Sequence, residues 1–302
     1  MAADISKFVG REFAPYRLVV ERGKIREFAL AIGDDSPLYR DKQSAVLAGW
    51  KDVTIPPTFP TVIDMWGGPD FFTLIETLEL DLLRVLHGEQ EYEYLGEIYT
   101  GDEITGTAKV TGAKAKSGRS GTMKLFSIET VYVNQRGEMV CIGRSTVIEH
   151  GGSREGREMS RSQLPPVRKA DAGELPVLKK PVITHTQLVR YAGASGDFNP
   201  IHTVVPVGEE AGLGGVIAHG MLIMGFAGQA VCAWFPRKQL RRLKARFADI
   251  TRPGEQITVT GRVVRPLSTA GEDRLCCELR ACNQAGEVKL KGEFEVAQEG
   301  AS

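Results

Sequence analysis

The chain has 302 residues, 42% of them hydrophobic and 25% charged, which is enough for two ordinary domains with cores of their own. The 38 Lys and Arg residues balance 38 Asp and Glu residues, and this neutrality argues against a nucleic-acid or anionic-membrane partner held by bulk charge. The five cysteines are an odd number without C-x-x-C spacing, and the N-terminus lacks an apolar secretory segment, so we expect a cytoplasmic protein.

The first predicted element is a helix in residues 20–40. Ile25, Phe28 and Ala29 have the i, i+3, i+4 spacing of a buried helical face. Gly33-Asp34 and Pro37 follow and indicate a loop.

A second helix is predicted to begin near the Ile55-Pro56-Pro57-Thr58-Phe59 segment, because proline is tolerated in the first turn. The apolar stretch from Thr61 to Leu86 contains Gly67-Gly68-Pro69 and reads as an insertion that enlarges or breaks this helix. Its apolar surplus fits either an acyl-chain pocket or ordinary core packing.

Residues 90–149 contain alternating apolar and polar runs separated by glycine-rich turns, which predicts strands. Residues 150–181 are rich in Gly, Ser, Pro and charged residues and read as a linker without a core of its own.

Residues 183–203 repeat residues 20–40 at an offset of 163. Thr184 and Gln187 form a capping-box start for a helix, and Leu188, Tyr191 and Ala192 match the buried face of the first helix. Turn motifs of the strand region also recur, since residues 101–107 match 254–260 and residues 134–138 match 283–287. We therefore predict two related domains, residues 1–149 and 182–302, joined by the linker 150–181.

The loop Gly196-Asp197-Phe198-Asn199-Pro200-Ile201-His202 carries the candidate chemistry. Pro200 disfavours the helical conformation at Asn199, so the chain is expected to run as an extended loop that turns both ionisable side chains towards one point. A carboxylate and an imidazole placed in this way can hold a water molecule and exchange protons with it near neutral pH.

A buried helix is predicted from the apolar run Met221–Phe235, which has 15 residues and is shorter than the roughly 20 that span a bilayer. The free N–H groups of Gly220 and Met221 would form its positive end, where a developing oxyanion is stabilised.

These residues resemble the MaoC-like family of (R)-specific enoyl-CoA hydratases and 3-hydroxyacyl dehydratases, whose signature is close to Tyr…Ser-Gly-Asp-x-Asn-Pro-Ile-His followed by His-Gly-Met. The resemblance implies an α+β tandem double hot-dog fold, in which each half is a curved antiparallel sheet wrapped around a long central helix. The first half would be a degenerate FAS1-like dehydratase half that accommodates the acyl chain.

The resemblance also implies roles for individual residues. Asp197 and His202 would be the catalytic pair, and the Gly220 amide would bind the thioester carbonyl. Asn199 would orient the pair, with Ser195 and Met221 in support. Gly228 departs from the family, in which many members have a hydroxyl residue at this point of the helix.

The first copy lacks this equipment. Ser36 stands where the second copy has Asn199, and Tyr39 stands where it has His202. Tyrosine, with a pKa of about 10, is a poor proton shuttle at neutral pH. The first copy is therefore expected to be catalytically silent.

The densest basic segment is 237–246. Its residues Arg237, Lys238, Arg241 and Arg242 are candidates for binding the phosphates of coenzyme A or of a phosphopantetheine arm, and the alternative is a solvated loop that leads into a strand.

The remaining histidines have weaker assignments. His219 precedes a helix and is expected to be structural, and His87, His150 and His185 receive no role. No Cys/His set has metal spacing and no phosphate-binding glycine loop is present in the sequence, so neither a metal nor a cofactor is expected.

The predicted activity is reversible hydration of trans-2-enoyl-CoA thioesters to (R)-3-hydroxyacyl thioesters, with a place in fatty acid metabolism. Alternatives are a dehydratase for carrier-protein or mesaconyl-type dicarboxylyl-CoA thioesters, a hot-dog thioesterase, and a non-catalytic acyl-thioester-binding subunit. The expected partner is an acyl-CoA or acyl-carrier-protein substrate, and a homodimer is left open.

Overall fold

The structure is a computed structural model that describes residues 4–68, 71–118, 121–151, 173–269 and 271–298. Residues 119–120 of the predicted strand region lie outside these ranges. Residues 69–70 of the predicted insertion and 152–172 of the predicted linker are not among the described residues.

Within the described ranges, ten strands form one antiparallel sheet. The strands are β1 (Tyr16–Val19), β2 (Val85–Tyr94), β3 (Glu103–Gly118), β4 (Gly121–Asn134), β5 (Met139–Glu149), β6 (Leu178–Val182), β7 (Leu240–Phe247), β8 (Gln256–Thr269), β9 (Glu272–Cys282) and β10 (Val288–Ala297). Their order is β1-β3-β4-β5-β2-β7-β10-β9-β8-β6. The order of the second five strands is that of the first five reversed, as a duplication predicts. The two halves meet where β2 pairs with β7.

Seven α-helices are described alongside the sheet. They are α1 (Arg22–Ala31), α2 (Lys42–Leu47), α3 (Pro60–Gly67), α4 (Phe71–Thr77), α5 (His185–Ser195), α6 (Val205–Glu210) and α7 (Gly220–Trp234). No helix within the described ranges combines the length and the apolar composition that a membrane span requires. The corresponding helices α1 and α5 pack against each other, and the rings of Phe28 and Tyr191 lie 5.8 Å apart there.

Helix α7 is the long central helix of the second half, as the apolar run predicts. Ten of its fifteen residues are buried, because the sheet covers one side and the first half covers the other. Glycine permits this close approach: a Cβ at Gly225 would lie 2.7 Å from Ile32, and one at Gly228 would lie 3.3 Å from Pro57. The departure from the family at Gly228 therefore coincides with a tight contact between the halves.

The first half differs from the expected long central helix. Helix α3 has only eight residues and α4 has seven, so the insertion breaks the helix instead of enlarging it. Gly67 and Gly68, followed in the sequence by Pro69, are poor helix residues and account for the break. Ile75 of α4, and Leu78 directly after this helix, join a second apolar core with residues of β3 and β4.

The described end of the predicted linker is structured. Leu178–Val182 forms β6 and pairs with β8, and Leu175 and Leu178 pack against the main core. The pattern of Lys, Pro and exposed Val in this stretch suits an edge strand, and this polar composition is what made it resemble a linker.

Candidate active site

The site is built on the turn that ends α5. Gly196 has a φ of +86°, and a Cβ at this position would lie 2.9 Å from the indole of Trp66 in α3, so only glycine fits. The hydroxyl of Ser195 donates to the carbonyl of Tyr191 at 2.7 Å and accepts the N–H of Asp197 at 3.2 Å. These contacts fix the start of the loop that was predicted to carry the chemistry.

Asn199 connects the two predicted catalytic residues. Its N–H donates to the Asp197 carboxylate at 3.2 Å, and its side-chain oxygen accepts the N–H of Ile201 at 3.3 Å. The second bond caps a short 3₁₀ helix, Pro200–His202, whose last residue is His202. The chain therefore turns back after Asp197 and brings the imidazole towards the carboxylate.

His202 is buried and holds one tautomer. Its Nδ1 lies 2.8 Å from the carbonyl oxygen of Ile217, and because a carbonyl only accepts, Nδ1 carries the proton. Burial lowers the pKa of His202, although the charge of Asp197 acts in the opposite direction. The ring is therefore neutral at pH 7, and its Nε2 can accept a proton.

His219 lies directly against this ring. The two imidazoles stack with centroids 3.8 Å apart and planes 29° apart. The Nε2 of His219 donates to the backbone carbonyl of Asp197 at 3.1 Å, while Nδ1 is buried with no hydrogen-bond partner among the described residues. Burial, together with the neighbouring His202, lowers the pKa of His219 to about 3. This neutral ring supports the loop through its hydrogen bond to Asp197 and its stacking on His202.

A cavity of about 440 Å³ opens at these residues. Asp197, Asn199 and His202 line it, as do Gly220 and Met221 at the N-terminus of α7. The first amides of a helix have no intrahelical acceptor, so this wall presents N–H groups and the positive end of the helix dipole. A Cβ at Gly220 would lie 3.0 Å from the Phe247 ring, which shows how closely the cavity wall packs.

One ligand atom each from Asp197, His202 and His219 lies within 4.8 Å of the others, so these three residues could in principle hold a metal ion. The geometry suits a metal poorly. Imidazole lone pairs lie in the ring planes, and those of two nearly parallel stacked rings do not converge on one ion. One nitrogen of each ring is also engaged by a backbone carbonyl. The set is better arranged for proton transfer.

The first half supplies the rest of the cavity wall. Thr61, Asp64 and Met65 of α3 and Leu74 of α4 line it, so part of the insertion faces the cavity while Ile75 faces a core. The Asp64 carboxylate accepts from the hydroxyls of Tyr16 and Tyr132. Burial raises the pKa of Asp64 to about 6.

His87 was given no role from the sequence, yet it lines this cavity. Its ring lies 5.0 Å from that of Phe247, and its Nε2 is buried without a hydrogen-bond partner within the described ranges. Burial lowers the pKa of His87, and Asp197 is close enough to act against that shift. His87 reaches the site through the pairing of β2 with β7, which no local motif indicates.

The residues predicted to bind phosphates lie away from this cavity, and their binding of phosphates stays a prediction. Arg241 forms an ion pair with Glu272 at 2.8 Å, and Arg242 pairs with Glu91 at 3.0 Å. Lys238 donates to the carbonyl of Gly49. None of these residues, nor Arg237, lines the cavity that contains Asp197 and His202. The glutamates on neighbouring strands neutralise much of the basic run.

Because His219 is buried and neutral, we expect the free energy of unfolding to fall as the pH is lowered. His219 has a lower pKa in the folded chain than its unfolded value of about 6.5, so the unfolded state takes up the proton first and the free energy of unfolding falls as the pH drops below 6.5. Between pH 7 and pH 5.5, His219→Gln should show a loss about 1 kcal/mol smaller than the wild type in urea titrations. Glutamine keeps an Nε donor for the Asp197 carbonyl. Equal losses in both proteins would contradict the assignment of a neutral His219.

Each half of the chain matches a model of a protein family. The model described as the FAS1-like dehydratase domain region matches residues 7–142, and the model of the MaoC-like domain matches residues 169–276. A UPF0336 protein from Saccharopolyspora erythraea is 40% identical over 145 residues, which are 48% of this chain and 90% of the relative. A UPF0336 protein from Thermobifida fusca is 35% identical over 150 residues, which are 49% of this chain and 95% of the relative.

Solved structures match over almost the whole chain. A MaoC-like dehydratase superposes with a TM-score of 0.81 at 23% identity, covering 98% of this chain and 100% of the other. A conserved Mycobacterium tuberculosis protein described as having a double hotdog fold gives 0.68 at 13% identity, covering 98% of each chain. Peroxisomal multifunctional enzyme type 2 from Drosophila melanogaster gives 0.65 at 20% identity, covering 95% of this chain and 48% of the other. The predicted double hot-dog fold is confirmed.

Proposed function

Because the chain belongs to the MaoC-like dehydratase family, with a FAS1-like dehydratase region as its first half, we propose that it catalyses the reversible hydration of trans-2-enoyl thioesters to (R)-3-hydroxyacyl thioesters. The observation that carries the proposal is the meeting of three groups at one cavity wall. These are the Asp197 carboxylate, the free Nε2 of a neutral His202, and the N-terminus of α7 at Gly220.

In the hydration direction, water sits between Asp197 and His202. One of its O–H bonds breaks as the oxygen forms a bond to C3 of the enoyl chain, and the carboxylate and imidazole take up the released proton. The electron pair of the C2–C3 double bond moves towards the thioester carbonyl. Asp197 and His202 then deliver a proton to C2. Dehydration follows the same path in reverse.

The N-terminus of α7 acts on the charge that develops. As the carbonyl oxygen becomes enolate-like, the Gly220 N–H and the positive end of the helix stabilise it. Gly220 leaves this approach open, whereas a side chain here would meet Phe247. His219 and Asn199 act indirectly, since they hold the backbone and the carboxylate of Asp197 in place.

We place the acyl chain in the part of the cavity formed by the first half. Leu74, Val85 and Ile128 give this wall an apolar surface, and the break between α3 and α4 lies beside it. This explains why a half without the catalytic pair is retained: its sheet and short helices form a pocket in place of a long central helix.

The first experiment follows the loss of enoyl absorbance for trans-2-enoyl-CoA esters from short to long chain and determines the configuration of the alcohol. Rapid formation of the R alcohol supports the proposal. Release of free thiol from saturated acyl-CoA would instead indicate a thioesterase, and binding without water addition would indicate an acyl-thioester-binding subunit. Parallel assays with carrier-protein thioesters determine which carrier is used.

Substitution of Leu74 by Trp should shorten the acyl pocket. Leu74 lines the cavity from α4, so an indole there would occupy space that a long chain needs. We expect kcat/KM for long-chain esters to fall at least about tenfold, the loss expected when an apolar tail cannot be accommodated, with little change for a four-carbon ester. Glu76→Trp, on the exposed side of the same helix, is the control. Equal losses for short and long esters would place the chain elsewhere.

A further inference from the structure

A second cavity of about 360 Å³ lies between the two halves, beside the residues of the first half that correspond to the active site. Asp34 and Tyr39, which align with Asp197 and His202, both line it. Tyr39 is buried, and burial raises its pKa well above 10, so the hydroxyl stays protonated. The first half therefore has no acid–base pair, but a cavity lies beside Asp34 and Tyr39.

Arg237 gives this cavity a different chemistry. Its side chain is only 5% exposed, and its guanidinium lies 4.6 Å from the centre of the Tyr94 ring. Its Nε is buried without a hydrogen-bond partner among the described residues. No described carboxylate forms an ion pair with it. A buried cation with an unused donor is costly unless a further group meets it.

The neighbouring polar groups do not meet this need. Among the neighbouring charges Glu97 acts most strongly on Arg237, but burial raises the pKa of Glu97, and its Oε2 also lacks a partner in the described part of the chain. Gln229 and Lys180 bond to each other and to the carbonyl of Gly33, while Lys238 bonds to Gly49. Arg237 is thus the buried cationic donor available to a ligand, beside the exposed ammonium of Lys238.

We propose that this second cavity binds a small organic carboxylate, with the carboxylate on Arg237 and the apolar body against Trp50, Leu38 and Pro236. A planar guanidinium matches a carboxylate in charge and in the spacing of its donors. Trp50, Leu38, Ala48 and Pro236 provide the apolar wall. Asp34 lines the same space, so a second negative charge on the ligand would be repelled, which favours a monoanion over phosphate.

The ligand would join the two halves. Asp34 and Trp50 belong to the first half, whereas Cys232 at the end of α7 and Arg237 belong to the second. Because a ligand that binds only the folded chain stabilises it, occupancy should raise the melting temperature. This site does not depend on the hydration chemistry proposed above.

The test is calorimetric titration of the full chain with hexanoate and benzoate, with hexanamide and inorganic phosphate as comparisons. We expect the carboxylates to bind and to raise Tm, and hexanamide and phosphate to do neither. Arg237→Met should abolish binding. Because a change at a buried arginine can also unfold the chain, Ala48→Phe provides a second variant that fills the exposed mouth of the cavity and leaves Arg237 in place.

Ala48→Phe should weaken carboxylate binding at least about tenfold, while Asp197→Asn should leave it unchanged. Unaltered binding to Ala48→Phe, or loss of binding in Asp197→Asn, would assign the carboxylates to the active-site cavity and overturn the proposal. Tighter binding of phosphate than of hexanoate would overturn the assigned ligand class. Absence of binding by both carboxylates up to tens of millimolar would also reject the site.

Discussion

Replacement of Asp197 by Asn should lower kcat for enoyl-CoA hydration by about two to four orders of magnitude and leave the fold intact. The carboxamide has nearly the same shape, and its oxygen can still accept the Asn199 N–H that now bonds to the carboxylate at 3.2 Å. What is lost is the negative charge that accepts a proton from water beside His202. The measurement is turnover of trans-2-enoyl-CoA by absorbance, with circular dichroism and Tm for the fold.

The duplication supplies a matched control. Asp34 occupies the aligned position in the first half and also accepts the backbone N–H two residues on, that of Ser36, at 3.0 Å. Asp34→Asn therefore makes the same chemical change in the same local structure but beside Tyr39 instead of an imidazole. Its kcat should stay near the wild-type value. Near-wild-type turnover in Asp197→Asn, or an equal loss in Asp34→Asn, would contradict the assignment.

The features that sequence predicted well are those encoded locally. The loop from Gly196 to His202 contains its own turn, cap and proline, so its shape follows from neighbouring residues. Helix α7 could be predicted because a run of apolar residues of this length has to be buried. The capping box was right in part: Thr184 accepts the N–H of Gln187, but the Gln187 side chain reaches Ala31 in the first half.

The opposite wall of the cavity could not be predicted in this way. His87 and Asp64 lie more than a hundred residues before the motif, and they reach it only because β2 pairs with β7 and α3 packs beside Gly196. A lone histidine in a strand and a lone aspartate in an apolar helix have no pattern that distinguishes them from ordinary residues. Their place in the cavity wall depends on how the halves pack together.

The basic segment 237–246 also shows that long-range contacts could not be predicted from the sequence. Arg242 lies between Glu91 on β2 and Glu295 on β10, and Arg241 meets Glu272 at the start of β9. In sequence these glutamates are remote from the arginines, so the segment resembled an unpaired cationic patch. Cross-strand register places opposite charges side by side, and such pairs are a regular feature of antiparallel sheets.

Replacement of His202 by Asn is expected to have an effect as large as that of Asp197→Asn, about two to four orders of magnitude in kcat. The asparagine amide can take the place of Nδ1 and donate to the Ile217 carbonyl, which the imidazole does at 2.8 Å. The variant therefore keeps the contact that orients the side chain and removes only Nε2. A purely structural role for His202 would predict rescue by this substitution.

The pH profile of kcat/KM further separates a proton-accepting role of His202 from a structural one. Burial lowers the pKa of His202, so protonation of the free enzyme requires a pH below the usual 6.5, and the acid limb of the wild-type kcat/KM profile should fall there. Loss of Nε2 should abolish that limb in His202→Asn. His219→Gln, which keeps the bond to the Asp197 carbonyl, should retain it. An acid limb that persists unchanged in His202→Asn would show that another group accepts the proton. His87 would then be the next residue to replace, because it lines the same cavity and its Nε2 has no hydrogen-bond partner among the described residues.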